Sequence, residues 1–170
     1  MTFSRIVVIT AALALALCAF GQDYTPAQFG IQGSLGFNHS DTPQFQGFGM
    51  FEKSTSQNTS VIGIANLGAK QAAISPGVKQ YFYHAGNFHL FGLTAVGAAM
   101  QSTSTGTTTG LVLSAGGGLD VEFPQLLTSA APAKIPSSIV PYISTIVGLE
   151  EIPNQGPSFL YMAGIGIKFK

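Results

Sequence analysis

The feature that most constrains this chain is a two-residue alternation of apolar side chains with small or polar ones. It is clearest in three segments, Phe29–Asn38, Thr109–Val121 and Ser158–Phe169. Successive side chains of a β-strand point to opposite faces, so this period predicts strands with one apolar face each. No segment shows a capped helical stripe that would compete with this interpretation.

Weaker segments of the same kind complete the pattern. They lie at Phe45–Ser54, Thr59–Leu67, Ile74–Tyr83, Phe88–Gln101 and Ser138–Leu149. Turn-like stretches separate them, and we expect the Ser/Thr-rich Ser102–Gly110 to be a solvated hairpin loop. Eight strands of about ten residues are the smallest set that closes a membrane barrel. An open sheet edge in hydrocarbon would leave unpaired backbone groups, so we predict an all-antiparallel, eight-stranded transmembrane β-barrel.

The composition is consistent with an outer face that meets lipid. The chain is 46% hydrophobic and only 8% charged, against about 25% charged for an ordinary globular domain. Its formal net charge is +0, so no basic field would attract nucleic acid. Two prolines within predicted strands, Pro76 and Pro141, are expected to mark bulges or strand starts.

The N-terminus has the pattern of a secretory signal. One positive charge, Arg5, precedes the apolar run from Ile6 to Phe20, which is too short for a spanning helix. Small residues before Gln22 predict a signal peptide at 1–21 and a barrel domain at 22–170. A lipoprotein anchored at Cys18 is the alternative. If the signal is removed, the only cysteine leaves with it, and no thiol chemistry remains.

The phenylalanines support one orientation of such a barrel. If β-strand 1 starts in the periplasm, six of them mark the periplasmic strand ends: Phe29, Phe51, Phe82, Phe88, Phe123 and Phe169. Three others fall at the opposite rim: Phe37, Phe45 and Phe159. This is the aromatic girdle expected at a membrane surface. The alternative is that these rings belong to a core.

Two stretches carry a resemblance to a known family. Ser114–Val121 reads Ser-Ala-Gly-Gly-Gly-Leu-Asp-Val, and Gly164–Phe169 reads Gly-Ile-Gly-Ile-Lys-Phe. With the pattern across residues 22–170, they resemble small outer-membrane barrels of the OmpA/OmpX and opacity-protein kind. Such proteins usually end on an aromatic residue, whereas Lys170 follows Phe169 here. The resemblance implies a place in the cell outer membrane, contact with its lipid and lipopolysaccharide, and insertion by the barrel-assembly machinery.

Strand parity places five charged residues on the inner face of the predicted barrel. They are Glu52, Lys79, Asp120, Glu122 and Lys168. An unpaired charge in a narrow lumen is costly, so we predict a lumenal charge cluster at the periplasmic side that plugs the lumen and sets the strand register. The alternative for Glu122 and Lys168 is that they reach water at the rim.

Nothing in the sequence has the spacing of a catalytic or metal site. His84 and His89 flank a predicted turn, where a polar rim residue is ordinary, and no histidine has metal-ligand spacing. The cluster His39-Ser40-Asp41 reads as a turn rather than a triad. We therefore predict no enzyme and no cofactor, but a structural, porin-like or surface-interaction role with a lumen closed to solutes. The alternatives are a secreted lipocalin-like barrel and a lipid A-modifying enzyme.

Overall fold

The predicted architecture is confirmed by a computed structural model that describes residues 27–39, 44–124, 138–152 and 156–170. The strands are β1 (Phe29–His39), β2 (Gln44–Ser54), β3 (Thr59–Gly68), β4 (Gln71–Ala85), β5 (Phe88–Thr103), β6 (Gly106–Glu122), β7 (Ile139–Ile152) and β8 (Gly156–Phe169). Each pairs antiparallel with its neighbour in sequence, and β8 pairs with β1, which closes the barrel. The predicted signal peptide lies outside the described residues.

The barrel has two distinguishable ends. At one end, which we call the terminal end, β1 begins and β8 finishes. There the Gln28 N–H donates a hydrogen bond to Phe169 O at 2.6 Å. The Phe29 ring stacks on Phe169 there, with centroids 4.3 Å apart. The opposite, distal end carries the connections from β1 to β2, β3 to β4, β5 to β6 and β7 to β8. Among the described residues, no helix is long and apolar enough to cross a membrane.

Several strands are longer than the alternation predicts. The prediction of a loop at Ser102–Gly110 is wrong, because β5 and β6 continue into this stretch and pair as far as Thr103 and Gly106. Thr has a high strand propensity, so a Thr-rich stretch can form a hairpin with a short turn. Gly106 adopts a φ of 140° there, a conformation that glycine tolerates best. Glu150 and Glu151, expected in a loop, belong to β7.

The two strand prolines are accommodated differently. The pairing of β4 with β5 passes from Ile74–Ala98 to Gly77–Ala95, so Pro76 falls where that ladder is interrupted. Pro141 lies near the start of β7, and its carbonyl accepts a hydrogen bond from Phe123 N at 2.8 Å. The backbone of Pro141 therefore points toward Phe123, just beyond the end of β6, and this is where its N–H is missing. Neither proline removes a bond from the middle of a continuous ladder.

The outer wall of the barrel is apolar on every strand. Exposed large side chains include Leu35, Phe45, Leu67, Ile74, Met100, Leu111, Val147 and Ile165. Within the described strands, the charged side chains on the outward parity are Lys53 and Glu151, each one residue from a strand end. The middle of the described wall is therefore free of charge.

The interior is layered along the barrel axis. On β2 the buried residues run Gln46, Phe48, Met50 and Glu52 from the distal to the terminal end. β7 differs, because its buried Glu150 lies at the distal end. On β4 and β8 the order is the same as on β2, with Gln71 and Ser158 at the distal end and Lys79 and Lys168 at the terminal end. Between them lies the apolar layer, which consists of Phe48, Met50, Ile62, Ile64, Phe91, Leu93, Ala95, Ile146, Leu160 and Met162.

The apolar layer comes from strands other than β1, whose buried inner residues Gln32 and Ser34 are small or polar as its alternation predicts. A barrel of eight strands is just wide enough for side chains to fill it, so its centre is packed like a protein core. Two glycines make room for the largest rings. A Cβ on Gly118 would lie 2.6 Å from Cζ of Phe91, and one on Gly166 would lie 2.6 Å from Cζ of Tyr142. These glycines thus leave space for bulky side chains on the neighbouring, directly paired strands.

Candidate functional site: a lumenal ion network

All five residues of the predicted charge cluster lie inside the barrel at its terminal end. Glu52 comes from β2, Lys79 from β4, Asp120 and Glu122 from β6, and Lys168 from β8. Each is at most 5% exposed. Glu122 and Lys168, for which rim exposure was the alternative, are buried like the others. Together with Lys170 these residues form what we call the ion network.

Asp120 is the centre of the ion network. Its Oδ2 atom lies 2.7 Å from Lys79 Nζ and 2.9 Å from Lys168 Nζ. The Tyr81 hydroxyl lies 2.9 Å from the same oxygen and 2.9 Å from Glu52 Oε1, so the two carboxylates share its single proton. Oδ1 of Asp120 is buried and accepts no hydrogen bond from the described residues. A single carboxylate oxygen thus holds two ammonium groups that come from opposite sides of the lumen.

The other two carboxylates extend the ion network in opposite directions. Glu52 Oε2 lies 3.1 Å from Lys79 Nζ, and Glu52 Oε1 is the other acceptor for the shared Tyr81 proton. Glu122 lies 3.2 Å from Lys168 Nζ and 2.7 Å from Lys170 Nζ. Lys170 keeps 32% of its side chain exposed and connects the network to the rim. Three carboxylates therefore face three ammonium groups, so their formal charges balance.

Aromatic rings surround both buried ammonium groups. Lys79 Nζ lies 3.9 Å from the ring centroid of Phe91, and Lys168 Nζ lies 4.6 Å from that of Tyr142. These cation–π contacts replace part of the water that burial removes. The Tyr142 hydroxyl in turn donates to Gln32 Oε1 at 3.1 Å. Sequence reasoning missed the tyrosines, although Tyr81 shares the inward parity of Lys79.

The two histidines of the β4–β5 hairpin are buried, which corrects their assignment as ordinary rim residues. The β4–β5 register shifts between Tyr81 and Tyr83, and this bulge turns His84 inward. His84 Nδ1 and His89 Nδ1 lie 2.8 Å apart, so one must carry a proton and the other must accept it. His89 Nε2 is 3.5 Å from Glu122 Oε1. The pair borders the ion network, and strict alternation could not reveal it.

The charged groups of this site are paired with one another. Lys79 and Lys168 each contact two carboxylates, and Lys170 contacts Glu122. Among the described residues, no group of three or more His, Cys, Asp and Glu could hold a metal ion. For the cluster His39–Asp41, only the backbone of His39 lies within the described residues.

Comparison with known proteins identifies the fold. No protein-family model matches the sequence, and no curated protein is significantly similar to it. The structure is similar to the N-terminal β-barrel domain of Pseudomonas aeruginosa OprF, with a TM-score of 0.59, 9% identity and coverage of 84% of this chain and 99% of that one. Neisserial surface protein A gives a TM-score of 0.54 and 12% identity, with 84% and 98% covered.

Both of these proteins are small outer-membrane barrels of eight strands. The chain has the fold of a small outer-membrane barrel. The resemblance inferred from Ser114–Val121 and Gly164–Phe169 is thereby confirmed at the level of the fold. In this outer-membrane fold the ion network occupies the terminal end of the lumen, and the apolar layer lies between it and the distal end.

Proposed function

We propose that this chain is an integral protein of the cell outer membrane, with a structural or surface-presenting role and a lumen closed to solute diffusion. Its terminal end would face the periplasm and its distal end the outside of the cell. Lipid and lipopolysaccharide would surround the wall, and the barrel-assembly machinery would insert it. The proposal rests above all on the uncharged apolar wall.

The wall supports a membrane location through its energetics. Side chains such as Leu35 and Ile165 are more than 70% exposed, and all eight strands contribute to the apolar surface. Monomeric soluble proteins rarely expose contiguous apolar patches above a few hundred Å². A closed barrel also satisfies its backbone groups internally, as hydrocarbon requires. The same surface in water would drive aggregation.

The packing of the interior supports a closed lumen. The cavity between the apolar layer and the distal polar residues measures about 10 Å³ and is bordered by Asn66, Ser75, Ser114 and Glu150. That volume is close to the minimum for one water molecule. On the terminal side of this cavity, the apolar layer forms a constriction of the kind that blocks ions by excluding water. The ion network then fills the terminal end.

The alternatives are less well supported. A lipocalin-like carrier needs an apolar cavity that holds a ligand, whereas the described part of the lumen is filled by side chains. Its outer face would also be polar, which the exposed wall is not. A lipid A-modifying enzyme would need a reactive group near the wall, and the titratable side chains of the ion network are instead buried in the lumen and paired with one another.

The first test concerns location and facing. We expect the mature chain in the outer-membrane fraction, extracted only by detergent. Leu113→Cys should react with a lipid-soluble maleimide in those membranes, because Leu113 faces outward, while the inward-facing Ser114→Cys should react far less. Recovery as a soluble, detergent-free monomer would refute the membrane assignment. Equal labelling of the two cysteines would refute the assigned faces.

The second test concerns the closed lumen. In planar lipid bilayers the wild-type barrel should show no steady conductance. The double variant Ile62→Ser and Ile146→Ser, which makes the apolar layer polar, should admit water and produce discrete conductance steps. Ile165→Ser changes the same residue type on the outer wall and should show no conductance steps. A wild-type barrel with a stable open conductance would show that the apolar layer does not close the lumen.

A further inference from the structure

The cavity between the apolar layer and the distal polar residues is lined by polar groups from opposite sides of the lumen. Asn66 and Ser75 border it from β3 and β4, and Ser114 and Glu150 border it from β6 and β7. In the closed ring of eight strands, β3 and β7 lie across from each other. The space measures about 10 Å³, which is room for one particle of the size of a water molecule. We call it the distal cavity.

Two paired glycines keep the distal cavity open. Gly116 and Gly148 are direct partners on β6 and β7, and both border the cavity. A Cβ on Gly116 would lie 2.6 Å from Val147 O, and one on Gly148 would lie 2.5 Å from Ala115 O. Neither position accepts a side chain unless the neighbouring backbone moves. The space is therefore a consequence of how β6 and β7 pair, and not of loose side-chain packing.

Asn66 brings two polar atoms without a partner to the distal cavity. The residue is 2% exposed, and its Oδ1 and Nδ2 atoms form no hydrogen bond with any residue that the structure describes. Leaving a buried amide without hydrogen bonds is destabilising, so such groups normally contact a bound water or ion. Asn66 therefore indicates that the distal cavity holds an occupant.

Glu150 gives the distal cavity its charge. It is 3% exposed and, among the described residues, it is the buried carboxylate that lies outside the ion network. The ammonium groups of that network balance its own three carboxylates, and the apolar layer separates them from Glu150. An ionised carboxylate at this depth is stabilised by a positive charge beside it. The charge of Glu150 thus favours a cation as the occupant.

The set of ligand atoms selects the class of cation. The polar groups at the distal cavity offer carboxylate, amide and hydroxyl oxygens, which bind hard cations, and no thiolate or imidazole, which softer metals prefer. Ca²⁺ takes about six to eight oxygen ligands and Mg²⁺ keeps several waters, for which a cavity of this size has no room. One carboxylate also balances one positive charge, so a divalent ion would leave a buried excess. The combination favours a monovalent alkali-metal cation.

We infer that the distal cavity binds one alkali-metal cation, Na⁺ or K⁺, between Glu150 and Asn66. The inference goes beyond the proposed function, because it assigns a ligand to a lumen that is otherwise only closed. The cation would enter from the distal side, since the apolar layer excludes ions on the terminal side. Bound there, it would connect β3 to β7 across the lumen.

The test is urea unfolding of the full mature protein in detergent micelles at constant ionic strength and at about pH 8, where carboxylates are ionised. NaCl or KCl replaces choline chloride, whose cation is too large for the distal cavity. The unfolding equilibrium constant should fall about tenfold once the alkali cation exceeds its dissociation constant by roughly tenfold. The dependence should disappear in Glu150→Gln, which removes the charge at nearly constant volume. Asn66→Leu, which removes the amide, should also abolish it and serves as the test if Glu150→Gln does not fold.

The matched control is Glu151→Gln, one residue along β7. It makes the same chemical change on the outward face, so the dependence on Na⁺ or K⁺ should remain as in the wild type. A stronger effect of one of the two cations would identify the one that the cavity binds.

Equal unfolding constants of the wild type in NaCl, KCl and choline chloride would overturn the inference, because the cavity would then hold only water. So would a dependence that survives in Glu150→Gln or Asn66→Leu, since the cations would then act elsewhere on the protein. Greater stabilisation by CaCl₂ at the same ionic strength would contradict a monovalent occupant. These outcomes are separate from a failure of the proposed function, which appears as solubility without detergent and can occur with or without cation binding.

Discussion

We expect Asp120→Ala to lower the free energy of unfolding by about 3–5 kcal/mol, the usual cost of removing one partner from a buried ion pair. The reason is that Asp120 Oδ2 neutralises both Lys79 and Lys168, which are no more than 1% exposed. Without it, two buried ammonium groups would face each other with one fewer carboxylate. The measurement is equilibrium urea unfolding of the barrel in phospholipid vesicles.

Two further variants separate the charge effect from simple packing. Glu122→Gln should cost less, because its partner Lys170 is partly exposed and can be solvated by water. The quadruple variant Glu52→Gln, Lys79→Met, Asp120→Leu and Lys168→Met removes two carboxylates with two ammonium groups and leaves Glu122 paired with Lys170. It should recover most of the lost stability. If Asp120→Ala unfolds within about 1 kcal/mol of wild type, water must already solvate the ion network, and the view of a dry plug is wrong.

Phe91→Ala should have a similarly large effect, about 3–5 kcal/mol of unfolding free energy. Phe91 is fully buried in the apolar layer, and its ring lies 3.9 Å from Lys79 Nζ and packs edge-on against Tyr81 at 5.9 Å. The loss combines the transfer of the ring with the cavity it leaves, because facing strands of a closed barrel cannot collapse freely. Urea unfolding in the same vesicles measures it.

The matched control is Phe159→Ala on the outer wall, where the ring is 62% exposed in the described structure. Losing that ring creates no internal cavity, so the expected change is smaller than for Phe91→Ala. Equal costs at the two positions would mean that the apolar layer is loosely packed. That result would also weaken the argument that this layer closes the lumen.

The sequence by itself predicted the eight-stranded barrel because strand alternation is a local property. Positions such as Leu113 and Ser114 point to opposite faces of any regular strand, whatever lies across the sheet. The same parity placed Glu52, Lys79, Asp120, Glu122 and Lys168 on the inner face. The alternation is weaker in segments such as Phe45–Ser54 and Thr59–Leu67 because residues such as Met50 and Ile62 are apolar on the inner face as well.

The tertiary structure alone decided where the strands end and what the interior contains. The hairpin pairing of Thr103 with Gly106 overrode a loop-like composition, because cross-strand partners determine strand length. The bulge near Tyr81 broke the alternation and brought His84 against His89. The apolar layer arises because closure at eight strands leaves space only for packed side chains, and Gly118 and Gly166 admit the facing rings. Register around the closed barrel, which no single strand encodes, then sets Asp120 between Lys79 and Lys168.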